Sequence, residues 1–220
     1  MMKPEVARER VTDFVTTVLP WEKEWIYIGI DPGRDGAIAF LCRNSVAVVD
    51  MPIIEVPRKR SRNLKPAEQE AQAAAGLQVR KTKTIEGHSF EFDVATIHDL
   101  FTQLKPVHYR VRICLEIAQV SNQTKKFRQT ALTGYKVGMG YAIWLLYLHA
   151  KRWPLEKIEP SAWKRHMGLL GKTKAQSRIK AIELFPNAAA ILTRVDRAEA
   201  LLLAEWSRRI FLGGQRGGHG

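Results

Sequence analysis

Four carboxylates stand where a carboxylate is costly. Asp31 closes the apolar run Trp25-Ile26-Tyr27-Ile28-Gly29-Ile30 and opens the turn-forming Pro32-Gly33-Arg34-Asp35-Gly36. Glu116 lies inside Ile113-Cys114-Leu115-Glu116-Ile117, and Asp196 and Glu199 stand three apart at the start of an apolar helical run, on one helix face. Burying one unpaired carboxylate is unfavourable, and burying several together is worse because like charges repel. A divalent cation removes that objection, since Mg²⁺ and Mn²⁺ favour oxygen ligands and leave positions for water and phosphate. Four carboxylates can hold two such ions about 4 Å apart, one activating water and the other stabilising a leaving 3′ oxygen. That chemistry is metal-assisted phosphodiester hydrolysis.

Taken singly, each acid has a plainer reading. Asp-Pro-Gly is common turn punctuation, and an edge position would leave Glu116 solvated. Thr193 with Asp196 resembles a capping box, and acids in a first turn complement the helix dipole. The case for a metal site rests on the combination and its order along the chain.

The elements that must position these acids follow from periodicity and turn chemistry. Apolar, β-rich runs predict strands over 25–30, 37–41, 45–50, 111–117 and 155–158. Helices are expected over 94–104, from about 130 to Ala150, over 161–167 and 174–185, and from Asp196 to about Phe211. Pro4, followed by Val6, Val11, Phe14, Val15, Val18 and Leu19, predicts an amphipathic packing or dimerisation arm within 1–24. Three hairpin strands followed by α/β alternation imply a mixed α/β sheet flanked by helices over 25–212. Residues 213–220, rich in glycine, are expected to be a disordered tail.

The chain has 220 residues, with 35 Lys+Arg against 22 Asp+Glu and a formal charge of +13. A hydrophobic content of 45% excludes a wholly disordered basic tail, and no run approaches the ~18 apolar residues of a membrane span. Nucleic acid is the partner that such an excess suggests first. The cations are clustered. Arg58, Lys59, Arg60, Arg62, Lys65, Arg80, Lys81 and Lys83 crowd an insertion over 56–90, read as flexible or partly helical. Lys125, Lys126 and Arg128 follow Glu116, and Lys164, Lys172, Lys174 and Arg178 flank Gly168 and Gly171. All are candidate DNA contacts. Trp144, Tyr141 and Tyr147 suit a core or dimer interface, and Trp163 suits packing. His98 and His149 suit structural roles, and Cys42 and Cys114 suit the core of a reduced protein.

The order of the acid motifs resembles the RuvC family of Holliday-junction resolvases, within the RNase H-like superfamily. The matching residues are Ile28-Gly29-Ile30-Asp31-Pro32-Gly33, Leu115-Glu116 and Asp196-Arg197-Ala198-Glu199-Ala200-Leu201. The basic insertion, Gly134-Tyr135-Lys136-Val137-Gly138-Met139-Gly140 and Pro160-Ser161-Ala162-Trp163-Lys164 look like the plant chloroplast branch. Val195 stands where that branch carries His, and Glu199 where bacterial members tend to use Asp. Phe127 is the nearest aromatic to the position of a junction-opening wedge.

The resemblance implies an RNase H-like five-stranded sheet and a Mg²⁺- or Mn²⁺-dependent crossover junction endonuclease with two ions per site. Asp31 would bridge both ions, Glu116 would bind one, and Asp196 with Glu199 the other. Its substrate would be four-way junction DNA, cut by paired symmetric nicks in recombination and repair. Two symmetric cuts imply a homodimer, for which the apolar helix 130–148 is the expected interface, and no membrane partner. The acids of the N-terminal stretch point to a bacterial or phage cytoplasm or nucleoid, and the closer resemblance to a chloroplast nucleoid. Another RNase H-like structure-selective nuclease and a non-catalytic junction-binding protein are the alternatives within this fold. An actin-like ATPase or sugar kinase is the third, and it needs a second such domain.

Overall fold

Residues 2–20, 23–76, 78–79, 81–119 and 131–216 are described by the computed structural model. Its centre is a five-stranded mixed sheet. Strands β1 (Ile26–Asp31), β2 (Ala37–Cys42) and β3 (Ser45–Asp50) form an antiparallel meander. An insertion follows, made of β4 (Ile53–Asn63), helix α2 (Pro66–Ala74) and β5 (Thr82–Phe92). Helix α3 (Val94–Thr102) and a 3₁₀ segment, Lys105–Arg110, lead into β6 (Val111–Glu116), which pairs parallel to β1. Helix α4 (Ala131–Ala150) returns the chain to β7 (Leu155–Ile158), parallel to β6. Helices α5 (Pro160–His166), α6 (Lys174–Leu184) and α7 (Val195–Arg216) complete the fold. The strand order is β3-β2-β1-β6-β7, a mixed five-stranded sheet of the α/β class.

Helices cover both faces, which is why the strands read as continuous apolar runs rather than alternating ones. All of β2 and five of the six residues of β1 are buried. On one face Tyr27, Ala39, Leu41 and Cys114 pack with residues of α5, α6 and α7, including Trp163, Ala181, Leu201 and Ala204. Gly29 is what lets α7 lie against β1: a Cβ there would fall 2.0 Å from the Ala200 carbonyl oxygen and 2.6 Å from the Ala204 nitrogen. On the other face Phe14 of α1 (Pro4–Val18) meets Phe40, with ring centroids 6.0 Å apart. Among the described residues no helix is long and apolar enough to cross a membrane.

Three expectations change. The N-terminal helix is part of the core rather than a separate arm: Ala7, Val11, Phe14, Val15 and Val18 are buried. Its last carbonyls are satisfied by buried Arg110, whose Nη2 donates to Val18 O at 3.0 Å and Leu19 O at 3.3 Å. The basic insertion is an ordered antiparallel ribbon, registered from Ile53↔Phe92 to Asn63↔Thr82, with a single helix at its tip. It forms its own compact unit, Ile53–Asp93. An isolated two-stranded ribbon has no buried face to enforce a period of two, so its strands carry no clean hydrophobic alternation. The last helix runs on through Arg216, four residues past the expected domain end at 212.

Candidate active site

The parallel pairing of β1 and β6 fixes the site. Ile30 is in register with Leu115, so the two carboxylate-bearing residues that follow, Asp31 and Glu116, leave the sheet side by side. Asp31 is held by the turn after β1, where its Oδ1 accepts the Gly33 N–H at 3.1 Å. Gly36 closes that turn, because a Cβ there would lie 2.2 Å from the Asp31 carbonyl oxygen. Helix α7, seated on Gly29, brings Asp196 and Glu199 in its first turns to the same end of the sheet.

The electrostatics report the crowding. Burial pushes the Asp31 carboxyl up to about 6; the charges of Asp196 and Glu199 add to the rise, while the Gly33 N–H and Lys174 oppose it. Burial likewise pushes Glu116 up to about 7, with Asp31 and Glu199 adding and the Trp163 hydrogen bond and Lys164 opposing. Asp31 is therefore within electrostatic reach of the other three predicted acids, and Glu116 within reach of Asp31 and Glu199.

Each acid has a partner of its own. Trp163 Nε1, on a fully buried ring, donates to Glu116 Oε2 at 2.5 Å. Ser177 Oγ donates to Glu199 Oε1 at 2.9 Å, and Lys164 Nζ pairs with the same oxygen at 3.2 Å. Asp196 pairs with Arg194 at 3.3 Å and with Lys174 at 3.8 Å. Among the described residues no three His, Cys, Asp or Glu side chains converge closely enough to ligate one metal ion. Asp196 and Glu199 are paired with cations, whereas Asp31 and Glu116 accept neutral N–H groups. The donor chemistry still fits a hard divalent cation: the donors are all carboxylate oxygens, and Asp31 and Glu116 are raised by burial and by the neighbouring carboxylates.

A fifth carboxylate braces the site. Asp50 ends β3 at this same end of the sheet and takes Arg197 Nε at 2.7 Å and Nη2 at 2.9 Å, with Arg194 at 3.4 Å. Burial works against the charged Asp50, but the Arg197 hydrogen bonds and the two guanidinium charges outweigh it and hold its carboxyl below the usual range. Arg194 also donates to the Asp35 carbonyl at 2.7 Å. The start of α7 is thus tied both to β3 and to the turn after Asp31.

The predicted DNA contacts divide. Lys164 and Lys174 stand at the acids themselves. Lys172 is exposed on the loop before α6. Arg178 is committed inside the chain, its Nε donating to the Leu192 carbonyl at 2.6 Å, which fixes the segment before α7. Arg58 and Lys59 are exposed on β4, and Arg60 continues the same strand in the separate ribbon unit. Lys125, Lys126, Phe127 and Arg128 lie outside the described residues.

Trp163, Ser177 and Arg194 are the site residues that sequence reasoning did not assign. Trp163 was expected only to pack; its place beside Lys164 on one helix turn was the available signal. Ser177 and Arg194 had none, because an isolated Ser or Arg is ordinary surface chemistry until the fold sets it beside an acid.

No family model matches the sequence, and no curated protein matches it. Among solved structures, Thermus thermophilus RuvC is similar at 15% identity and a TM-score of 0.42, covering 86% of this chain and 96% of that one. T. thermophilus RuvC in complex with Holliday junction substrate is similar at 14% identity and a TM-score of 0.45, with the same coverage.

Proposed function

We propose that the chain is a homodimeric, Mg²⁺- or Mn²⁺-dependent endonuclease that resolves four-way DNA junctions by paired nicks. One observation carries the reading: Asp31, Glu116, Asp196 and Glu199 gather at one end of the sheet, and burial with mutual repulsion raises the Asp31 and Glu116 carboxyls. Perturbed carboxylates clustered at strand ends mark a site built for chemistry more often than for stability. The bound ions would supply an activated water and charge neutralisation at the phosphate. Asp31 and Glu116, fixed by the β1–β6 register, would hold the cations, and Asp196 and Glu199 would complete the donor set from α7. Trp163 orients Glu116, Ser177 orients Glu199, and the Asp50–Arg197 pair keeps α7 in place.

The charge excess supports a phosphodiester substrate. Lys174, with its side chain 73% exposed, and Lys172 stand where a phosphate backbone would approach the acids. Lys125, Lys126, Arg128, Arg58, Lys59 and Arg60 are proposed as further backbone contacts. For the dimer, α4 carries an uncovered apolar stripe at helical spacing, with Tyr135 64% exposed, Met139 46% and Leu146 73%.

The test is cleavage of an immobile four-way junction by the purified chain, with flap, plain duplex and RNA–DNA hybrid as comparisons. Symmetric nicks that need Mg²⁺ are the expected result, and Glu116→Gln should abolish them while binding in Ca²⁺ persists. Equal cutting of flap and junction would make the chain a broader structure-selective nuclease. Undiminished cleavage by Glu116→Gln would sink the site.

A further inference from the structure

At the N-terminal ends of β6 and β7, opposite the carboxylates, the chain forms a cleft of about 700 Å³. That volume lies in the range of small-molecule and nucleotide sites. Its walls are aromatic: the Phe101 ring is 5.6 Å from Tyr147 and 5.7 Å from Trp153, both edge-on. Lys105, Lys151 and Arg152 stand around it, and among the described residues no carboxylate lines it. The nearby acid of α3, Asp99, is paired with Arg8 at 3.2 Å.

The backbone shows how the cleft is made. After α4, Arg152 sits at φ 56°, in the left-handed region that a non-glycine residue enters at a cost. Its N–H bonds to His149 O at 3.0 Å and the next N–H, of Trp153, returns to Leu148 O at 3.0 Å. This turn places the indole of Trp153 against Phe101 and the two cations of Lys151 and Arg152 at the same mouth. Glycine would make that turn without strain; an arginine there adds a charge beside the rings. A dipole-complementing helix end accounts for the cations but not for the open aromatic wall behind them.

We infer that this cleft binds a nucleobase–phosphate unit, the base against Tyr147 and Trp153 and the phosphate on Lys151 and Arg152. Aromatic faces stack any base, and clustered cations beside them take its phosphate. The unit can come from a free nucleotide or from an unpaired residue of a nucleic-acid strand. The site is separate from the carboxylates and does not rest on the nuclease reading.

The experiment titrates the full chain with deoxyadenosine monophosphate, with deoxyadenosine, with inorganic phosphate and with a short single-stranded oligonucleotide, reading tryptophan fluorescence and calorimetric heat. Binding of the monophosphate should be tighter than that of either half alone. The exposed double variant Lys151→Glu/Arg152→Glu should weaken it about tenfold or more without changing Tm, and Trp153→Leu should remove most of the quenching. Weakening confined to the monophosphate assigns a free nucleotide, and weakening confined to the oligonucleotide assigns a strand. Equal binding of inorganic phosphate and monophosphate overturns the base pocket. So does a double variant that binds every probe as the parent does.

Discussion

The two ends of the central sheet are built on opposite terms. At the carboxyl ends of β1 and β6, acids are crowded until burial and mutual repulsion raise their proton affinity. At the amino ends of β6 and β7, Phe101, Tyr147, Trp144 and Trp153 form a cluster of edge-to-face and tilted rings edged by cations. One end gives up stability for a chemical potential; the other gains stability from packing. The difference teaches that the sheet is a scaffold whose unfavourable electrostatics sit at the end where the acids are. Substitutions at the two ends should therefore differ in sign.

The largest effect belongs to the aromatic end. Phe101 is 1% exposed and touches the rings of Trp144, Tyr147 and Trp153. Phe101→Ala should cost about 3–5 kcal/mol, as large-to-small core changes do, with the same loss from acidic to alkaline pH. Denaturant unfolding at two pH values checks this. A loss below about 1 kcal/mol would mean that the aromatic cluster is surface decoration rather than core.

The acid end should respond the other way. The Glu116 carboxyl rises from 4.5 to about 7 on folding, so the folded state holds that proton more tightly than the unfolded state. Stability from this group is complete below its unfolded value and is lost as pH rises through about 7. Glu116→Gln removes the loss while leaving an oxygen for the Trp163 N–H. In metal-free buffer at about pH 8 it should raise stability by on the order of 3 kcal/mol, a Tm gain on the order of 5–10 °C, and do nothing near pH 4. Asp50 slopes oppositely: its lowered carboxyl contributes stability that is lost as pH falls, so Asp50→Asn should cost most at neutral pH and least in acid. A Glu116→Gln protein that melts no higher than its parent at pH 8 would remove the unfavourable electrostatics from the comparison. Added Mg²⁺ should stabilise the parent and leave the variant unmoved.

How legible each region was in the sequence follows from how its residues are placed. Asp31 stood out because it closes an apolar strand, Glu116 because it interrupts one, and Asp196 and Glu199 because one helix turn holds both. The strands themselves were legible because burial on both faces makes them uniformly apolar. The β4–β5 ribbon was not, since neither of its faces is a core and its cations occupy strand positions that usually signal loops. The aromatic cleft was invisible for another reason. Phe101 and Trp153 lie on segments far apart in the chain, and Tyr147 in an apolar helix reads as core until the fold shows what the ring faces.

The smallest effects separate two lysines within the acid end. Lys164 Nζ pairs at 3.2 Å with Glu199, whose side chain is 6% exposed, whereas Lys174 reaches Asp196 at 3.8 Å with its own side chain 73% exposed. Removing a partner from a buried charge costs the desolvation that the partner had offset; the Asp196 side chain is 23% exposed and keeps Arg194 at 3.3 Å, so losing an exposed lysine costs it little. Lys164→Met should therefore lower metal-free stability by about 1–3 kcal/mol, because Glu199 is left to the Ser177 hydroxyl. Lys174→Met should stay within about 0.5 kcal/mol. Mg²⁺ should restore more stability to Lys164→Met than to the parent, since a cation at the acids replaces the charge that was lost. Equal costs for the two lysines would mean that Glu199 is not held by Lys164, and that the acids tolerate their crowding through solvent rather than through paired charge.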